Sequence, residues 1–205
     1  AKVGEPRDLW EAKKYTEAVY AVESWYSWHS IDDYSNNIVS IRNAFNGTRN
    51  NQEAVHSLAA FTKAQNATLY ASVKGKIEAA YNSIKSMAAP FRSHIGSSSV
   101  LVAQEACAAL VNVLEKDLTS FISQHADDDE MEEIVSTYVD QVVLPTYADL
   151  VTKTNALRQS IVVLSNQPSS ANFKRAADLW IEAREPWESS EAFLFGPVAD
   201  LGLGS

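Results

Sequence analysis

The chain has 205 residues, 46% of them hydrophobic, and carries a formal charge of -9 at neutral pH. That much apolar material fills the core of one large domain or two small ones without covalent staples. The acidic balance excludes nucleic acid as a partner, because affinity for a phosphate backbone comes from clustered Lys and Arg that displace counterions.

Glycine (7) and proline (6) are scarce, and apolar positions recur every three or four residues, which leaves little from which to build hairpins. The expected fold is all-α, an antiparallel bundle of long helices with shorter pieces. No apolar run approaches the roughly 20 residues that cross a bilayer, so no transmembrane segment is expected. Ala1 opens no signal-like stretch, although a mature secreted protein would read the same way. The single cysteine, Cys107, lies among Ala and Leu and reads as a buried, inert thiol.

In chain order, Leu9, Trp10, Tyr15, Val19 and Tyr20 predict a helix from Asp8 to about Val22. The run from Glu23 to Ser30 has no clean period and is dense in aromatic and hydroxyl groups. Ser30 or Asp32 is expected to cap a helix through Tyr34, Ile38, Ile41 and Phe45, stopped by Gly47 in a left-handed conformation. A long helix is expected from about Asn51 to Ala88, with a bend at Gly75 and an end at Pro90. Ser97, Ser98 and Ser99 offer caps for the next helix, through Val102, Leu110 and Phe121.

The acidic cluster Asp127-Asp128-Asp129-Glu130 reads either as a cation site or as solvated charge at a helix start, where it meets the positive end of the dipole. One apolar stripe then runs from Ile134 to Leu164 across Pro145, where a kink or tight junction is expected. A last helix follows from Ala171 to about Arg184, and the glycine-containing tail after Gly196 is expected to be loose.

Chemical motifs are sparse. The histidines at 29, 56, 94 and 125 form no pair at helical spacing, and no phosphate loop, nucleophile elbow or paired-cysteine motif is present. No catalytic residue is assigned. Two stretches stand out. Around Pro186, which disfavours helical geometry at Glu185, Glu185, Glu188 and Glu191 recur every three residues, with Arg184 four before Glu188. If the helix resumes, these carboxylates could hold a hard cation or pair with arginine. The alternative is an exposed acidic face with Trp187, Phe193 and Phe195 packed inward. In the second stretch, His29 with Asp32 and Asp33 could form a ligand set or an ordinary helix start.

Two runs carry a family resemblance. Tyr138-Val139-Asp140-Gln141-Val142-Val143-Leu144-Pro145-Thr146-Tyr147, followed by Ala183-Arg184-Glu185-Pro186-Trp187-Glu188-Ser189-Ser190-Glu191-Ala192-Phe193-Leu194-Phe195-Gly196-Pro197, resembles the opening half of imelysin-like proteins. Residues from about 20 to 121, with the runs from Glu23-Ser24-Trp25-Tyr26-Ser27-Trp28-His29-Ser30 to Tyr34 and from Asn37 to Phe45, are similar to the closing half of that family. By this resemblance, residues 1–125 correspond to a C-terminal half and 126–205 to an N-terminal half, together one bundle in permuted order. The histidine motif Gly-x-His-x-x-Glu, on which the family's peptidase label rests, is missing.

The resemblance implies an extracytoplasmic protein, in the periplasm or at the cell surface and often a lipoprotein with a lipid anchor in its precursor. It also implies a link to iron or haem uptake. Carried over residue by residue, it marks Arg184, Glu185, Glu188, Glu191 and Phe193 in one segment, and Trp28, His29, Ser30, Asp32 and Asn37 in the other, as ligand-binding positions. Glu185 and Glu188 are the expected metal ligands. The expected function is a non-catalytic binding protein for iron, haem or another small ligand. The alternatives are a metal-dependent peptidase and a helical scaffold that binds a protein partner.

Overall fold

The computed structural model describes residues 2–195 and 200–202. Among them every regular element is helical and none is a strand. Gly196, Pro197 and most of the tail expected to be loose lie outside the described residues.

The chain opens with two short helices, α1 (Gly4–Glu11) and α2 (Tyr15–Tyr20), where one was expected. The break falls at Lys13, whose φ of 61° cannot continue a right-handed helix. After the turns of residues 21–29 comes α3 (Ser30–Asn46), closed by Gly47 at φ 70° as anticipated. Its start differs from expectation: neither Ser30 nor Asp32 caps it, and the cap position, His29, makes no side-chain capping bond.

The helix expected over 51–88 is two helices, α4 (Leu58–Gln65) and α5 (Ala67–Lys85). Asn66 ends one and starts the other, with φ -146° and a side chain that accepts the N–H of Leu69 at 3.0 Å. An asparagine oxygen competes for backbone donors in this way, and helical periodicity alone does not reveal it. Ser57 caps α4 by accepting the N–H of Ala60 at 3.1 Å. Residues before it are not helical, so Val55 stands exposed. Gly75 does not interrupt α5. It sits in the exposed interior of α5 with no atom within 4 Å of where a Cβ would be. Gly75→Ala is therefore expected to raise the unfolding free energy by about 1 kcal/mol, read from urea denaturation.

A continuous rod follows, α6 (Ser98–Asn112) and α7 (Thr119–His125), joined by a wider π-turn over Val113–Leu118. By length and composition alone this 28-residue helix is long and apolar enough to cross a bilayer. Its stripe Val100, Ala103, Cys107 and Leu110 is buried in the main core, and Cys107 is buried as expected. A second rod consists of α8 (Asp128–Tyr138), a π-turn at Val139–Val143 and α9 (Leu144–Asn166). Pro145 neither breaks nor separates these helices, because the widened turn just before it accommodates a residue without an N–H. Asp127 caps α8 by accepting the N–H of Glu130 at 2.8 Å, and Asp128, Asp129 and Glu130 occupy the first turn. The acidic cluster is thus a helix start. Asp127→Ala is expected to cost about 1 kcal/mol of stability, and added calcium should not restore it.

The last helix, α10 (Ser170–Glu188), is capped by Ser169 and runs through Pro186. The break expected at Glu185 is absent. Pro186 lies within the last turn, so the carbonyl it leaves unbonded is close to the helix end.

The main core gathers α1 to α6 around Tyr34, Ile38, Phe45, Ile77, Ile84, Phe91 and Leu110. A smaller cluster of Phe61, Phe121 and Ile134 seats α8 against α4 and α7. Helices α9 and α10 form an antiparallel hairpin, and the buried positions between their ends are small: Thr146 and Ser160 on α9, Ala176 and Ala183 on α10. The hairpin meets the main core chiefly where α10 crosses α3. That crossing carries the charged residues.

Candidate functional site

Two pairs with helical spacing face each other at the crossing. On α3, Asp33 and Asn37 lie four residues apart, and on α10 Arg184 and Glu188 do the same, so each pair sits on one side of its helix. Arg184 Nε donates to Asp33 Oδ1 at 2.9 Å. Its Nη2 donates to Glu188 Oε1 and lies 3.8 Å from Glu23 Oε1. Asn37 Nδ2 donates to Glu188 Oε2 at 2.8 Å and also reaches the Glu188 carbonyl at 3.3 Å. The guanidinium rests over the Trp180 ring, 5.2 Å from its centroid. One arginine therefore serves three carboxylates, two of which are almost wholly removed from water: Asp33 is 2% exposed and Glu188 1%.

The surroundings fix this geometry. Glu23 is positioned by its N–H, which donates to the buried Tyr34 hydroxyl at 3.0 Å. Lys2 bridges Glu191 at 2.8 Å and Glu23 at 3.4 Å. Beyond α10, the N–H of Ala192 donates to Ser40 Oγ of α3 at 2.7 Å. Phe193 is buried edge-on against Tyr147 and Tyr138, with centroids 5.4 and 6.1 Å away. The segment after α10 is thus clamped to α3 on one side and to the second rod on the other.

The expected ligand-binding residues divide into groups. Arg184, Glu188 and Asn37 come together, and Glu191 joins through Lys2. Glu185 does not: its carboxylate accepts Lys153 Nζ of α9 at 2.9 Å, and its side chain is 61% exposed. Phe193 is a packing residue. Ser30 is buried at the start of α3. Trp28 is exposed, with the Arg92 guanidinium 4.3 Å from its ring. His29 and Asp32 form a separate outer cluster, His29 Nδ1 lying 3.2 Å from Asp32 Oδ2, and Asp32 Oδ1 3.0 Å from Lys85. Glu23 and Lys2, not singled out as ligand-binding positions, belong to the crossing, as does Asp33, which the sequence grouped with His29 and Asp32 as a possible ligand set. The spacing of Asp33 and Asn37 was the available signal that Asp33 shares a helix side with Asn37.

The expected pairing of Glu185 and Glu188 as metal ligands is not what the geometry offers. Their carboxylates are turned to different partners, and among the described residues no group of three or more His, Cys, Asp or Glu is placed to hold a metal ion. Arg184 already fills the space between Asp33, Glu188 and Glu23, and a cation there would have to displace a fixed positive charge. One oxygen, Asp33 Oδ2, is buried with no hydrogen-bond partner. The donor set at the crossing does not fit a bare iron ion.

Burial pushes the Glu188 carboxyl up to about 7 from its ordinary 4.5. The Asn37 bond and Arg184 pull it down, while the charges of Asp33 and Glu23 raise it further. Because its folded value exceeds its unfolded one, the folded protein holds this proton more tightly. The resulting stability is complete below pH 4.5 and is lost as pH rises through 7. Glu188→Gln should remove up to about 3 kcal/mol of this pH dependence, so that its unfolding free energy declines less than the parent's over that interval. Equal slopes in urea titrations would contradict the assignment.

The Ala-Arg-Glu-Pro-Trp-Glu segment that carries the resemblance to imelysin-like proteins is the one locked into this helix crossing of an all-helical protein. The chain belongs to the imelysin peptidase family, whose model matches residues 2–120 and 143–204. It is similar to an imelysin peptidase from Bacteroides ovatus, with a TM-score of 0.96 and 46% identity over 99% of this chain and 59% of that one. A structure from Parabacteroides distasonis, assigned as an iron-regulated protein A precursor, superposes with a TM-score of 0.52 and 40% identity over 56% of this chain and 34% of that one. Iron-regulated protein A of Synechococcus elongatus is 35% identical over 69 residues, 34% of this chain and 19% of the relative. The chain therefore spans less than two thirds of the length of each of these relatives.

Proposed function

We propose that this protein is a non-catalytic, ligand-binding imelysin that works outside the cytoplasm in iron or haem acquisition, at the periplasmic or outer surface of the cell envelope. The observation that carries the non-catalytic part is Arg184, which neutralises the carboxylates that a metal-dependent peptidase would need free for metal binding and for activating water. The iron connection is supported by two relatives named for iron regulation, and the word precursor in one of those names supports an extracytoplasmic location.

Because the donor set at the crossing does not fit a bare iron ion, the reading takes iron in an already chelated form, as in haem. The test is titration with ferrous iron, ferric iron, zinc and haemin, followed by calorimetry and absorbance. Saturable haemin uptake at micromolar concentration is expected, with bare ions leaving Glu185→Ala, Glu188→Ala and the parent protein indistinguishable. Bare-ion uptake that the double variant loses would overturn the reading. So would chelator-sensitive cleavage of an unfolded protein, which would restore the peptidase named in the Bacteroides ovatus relative.

A further inference from the structure

Residues 24–29 form an irregular strap between α2 and α3. Two of its residues hold left-handed backbone conformations, Ser24 at φ 46° and Trp28 at φ 70°. Such conformations are costly for residues with a side chain, and they tend to occur where function fixes a loop. Between the strap and the α9–α10 hairpin lies a pocket of about 440 Å3. That is within the range of small-molecule sites. Its walls include Tyr26 and His29 from the strap, Leu164 from α9, and Phe173, Trp180 and Ile181 from α10.

Three features distinguish this place from ordinary surface. First, its walls are aromatic: the Tyr26 and Trp180 rings stand 6.0 Å apart at 51°. Second, large aromatic surface is left in water there, Phe173 being 66% exposed and Tyr26 59%. Each would gain about 25 cal/mol per Å2 on being covered. Third, the imidazole at the rim is oriented. Asp32 holds His29 Nδ1 at 3.2 Å and is itself held by Lys85 at 3.0 Å. A neutral imidazole that donates from Nδ1 to a carboxylate presents its lone pair at Nε2, the arrangement found behind metal-ligating histidines. The charged crossing adjoins this pocket through Trp180, whose ring covers Arg184.

We infer that this pocket binds a flat conjugated macrocycle of the porphyrin type, packed against Tyr26, Phe173 and Trp180, with His29 Nε2 as the ligand to its iron. The inference rests on the binding role proposed above and gives that role a place, separate from the carboxylates of α10. Flat aromatic walls supply contact area to a conjugated ring at little entropic cost. The oriented imidazole then separates an iron-bearing ring from a metal-free one.

The test uses haemin and metal-free protoporphyrin IX as probes, followed by the Soret band and by tryptophan fluorescence. Phe173 and His29 are both on the surface, so Phe173→Ala and His29→Ala should fold as the parent does, checked by circular dichroism. Saturable binding of both probes is expected. Phe173→Ala should weaken both by about tenfold, and His29→Ala should weaken haemin by at least about tenfold while leaving protoporphyrin IX nearly unchanged. Saturable haemin binding that neither substitution alters would overturn this site and leave the binding role standing. No saturable uptake of iron or haemin by the parent would overturn both.

Discussion

Arg184→Met is expected to lower the unfolding free energy by about 3–5 kcal/mol, the cost of leaving buried charge without its partner. Methionine keeps most of the side-chain volume, so the loss reports charge and hydrogen bonds more than packing. Asp33 and Glu188 would remain in a site almost closed to water, with Asn37 as the neutral donor left to Glu188 among the described residues. In a chain of this size each kcal/mol moves the melting temperature by about 2–4 °C, so the variant should be conspicuous in a thermal scan. Arg184→Lys should recover part of the loss, because it restores charge but not the fork that reaches Asp33 and Glu188 together. A loss below about 1 kcal/mol for the methionine variant would mean that the crossing behaves as an exposed ion pair.

Phe193→Ala is expected to cost about 3–5 kcal/mol, as for other fully buried aromatic side chains. The ring is 5% exposed and fills the space between Tyr138 and Tyr147. Its loss should also release the segment that brings Glu191 to Lys2 and Ala192 to Ser40. Hydrogen exchange should therefore show faster amide exchange at 190–195 than in α5, whose core contacts lie elsewhere. Unchanged protection there would mean that Ser40 and Lys2 hold the segment without the ring.

Much of the architecture follows from periodicity and caps. Gly47 ends α3, Asp127 starts α8 and Ser169 starts α10 because each supplies a local conformation or acceptor that the sequence declares. The departures occur where a local side-chain bond or a single dihedral competes with the pattern. Asn66 divides the expected long helix by accepting a backbone N–H, and Lys13 divides the first one through a left-handed bend. Conversely, Pro145 and Pro186 read as breaks, yet helices continue through both, since a widened turn precedes one and a helix end follows the other.

The candidate site was legible in parts. Arg184 and Glu188 declare an ion pair through their spacing of four, and the family resemblance brought Asn37 to notice. Periodicity cannot tell that Asp33 would meet Arg184 across 151 residues of chain, nor that Glu185, three positions from Glu188, would turn to α9 instead. These outcomes depend on how α10 is rotated against α3.

The most direct test of the charged crossing is a double-mutant cycle between Arg184→Met and Glu188→Leu, with unfolding free energies measured in urea at a pH above 7.5, where Glu188 is ionised in the parent. Contacting charges in one buried network should give a coupling of about 2 kcal/mol. Additive effects, with a coupling within about 0.3 kcal/mol of zero, would show that Arg184 does not hold Glu188 and that the carboxylates are free for another ligand.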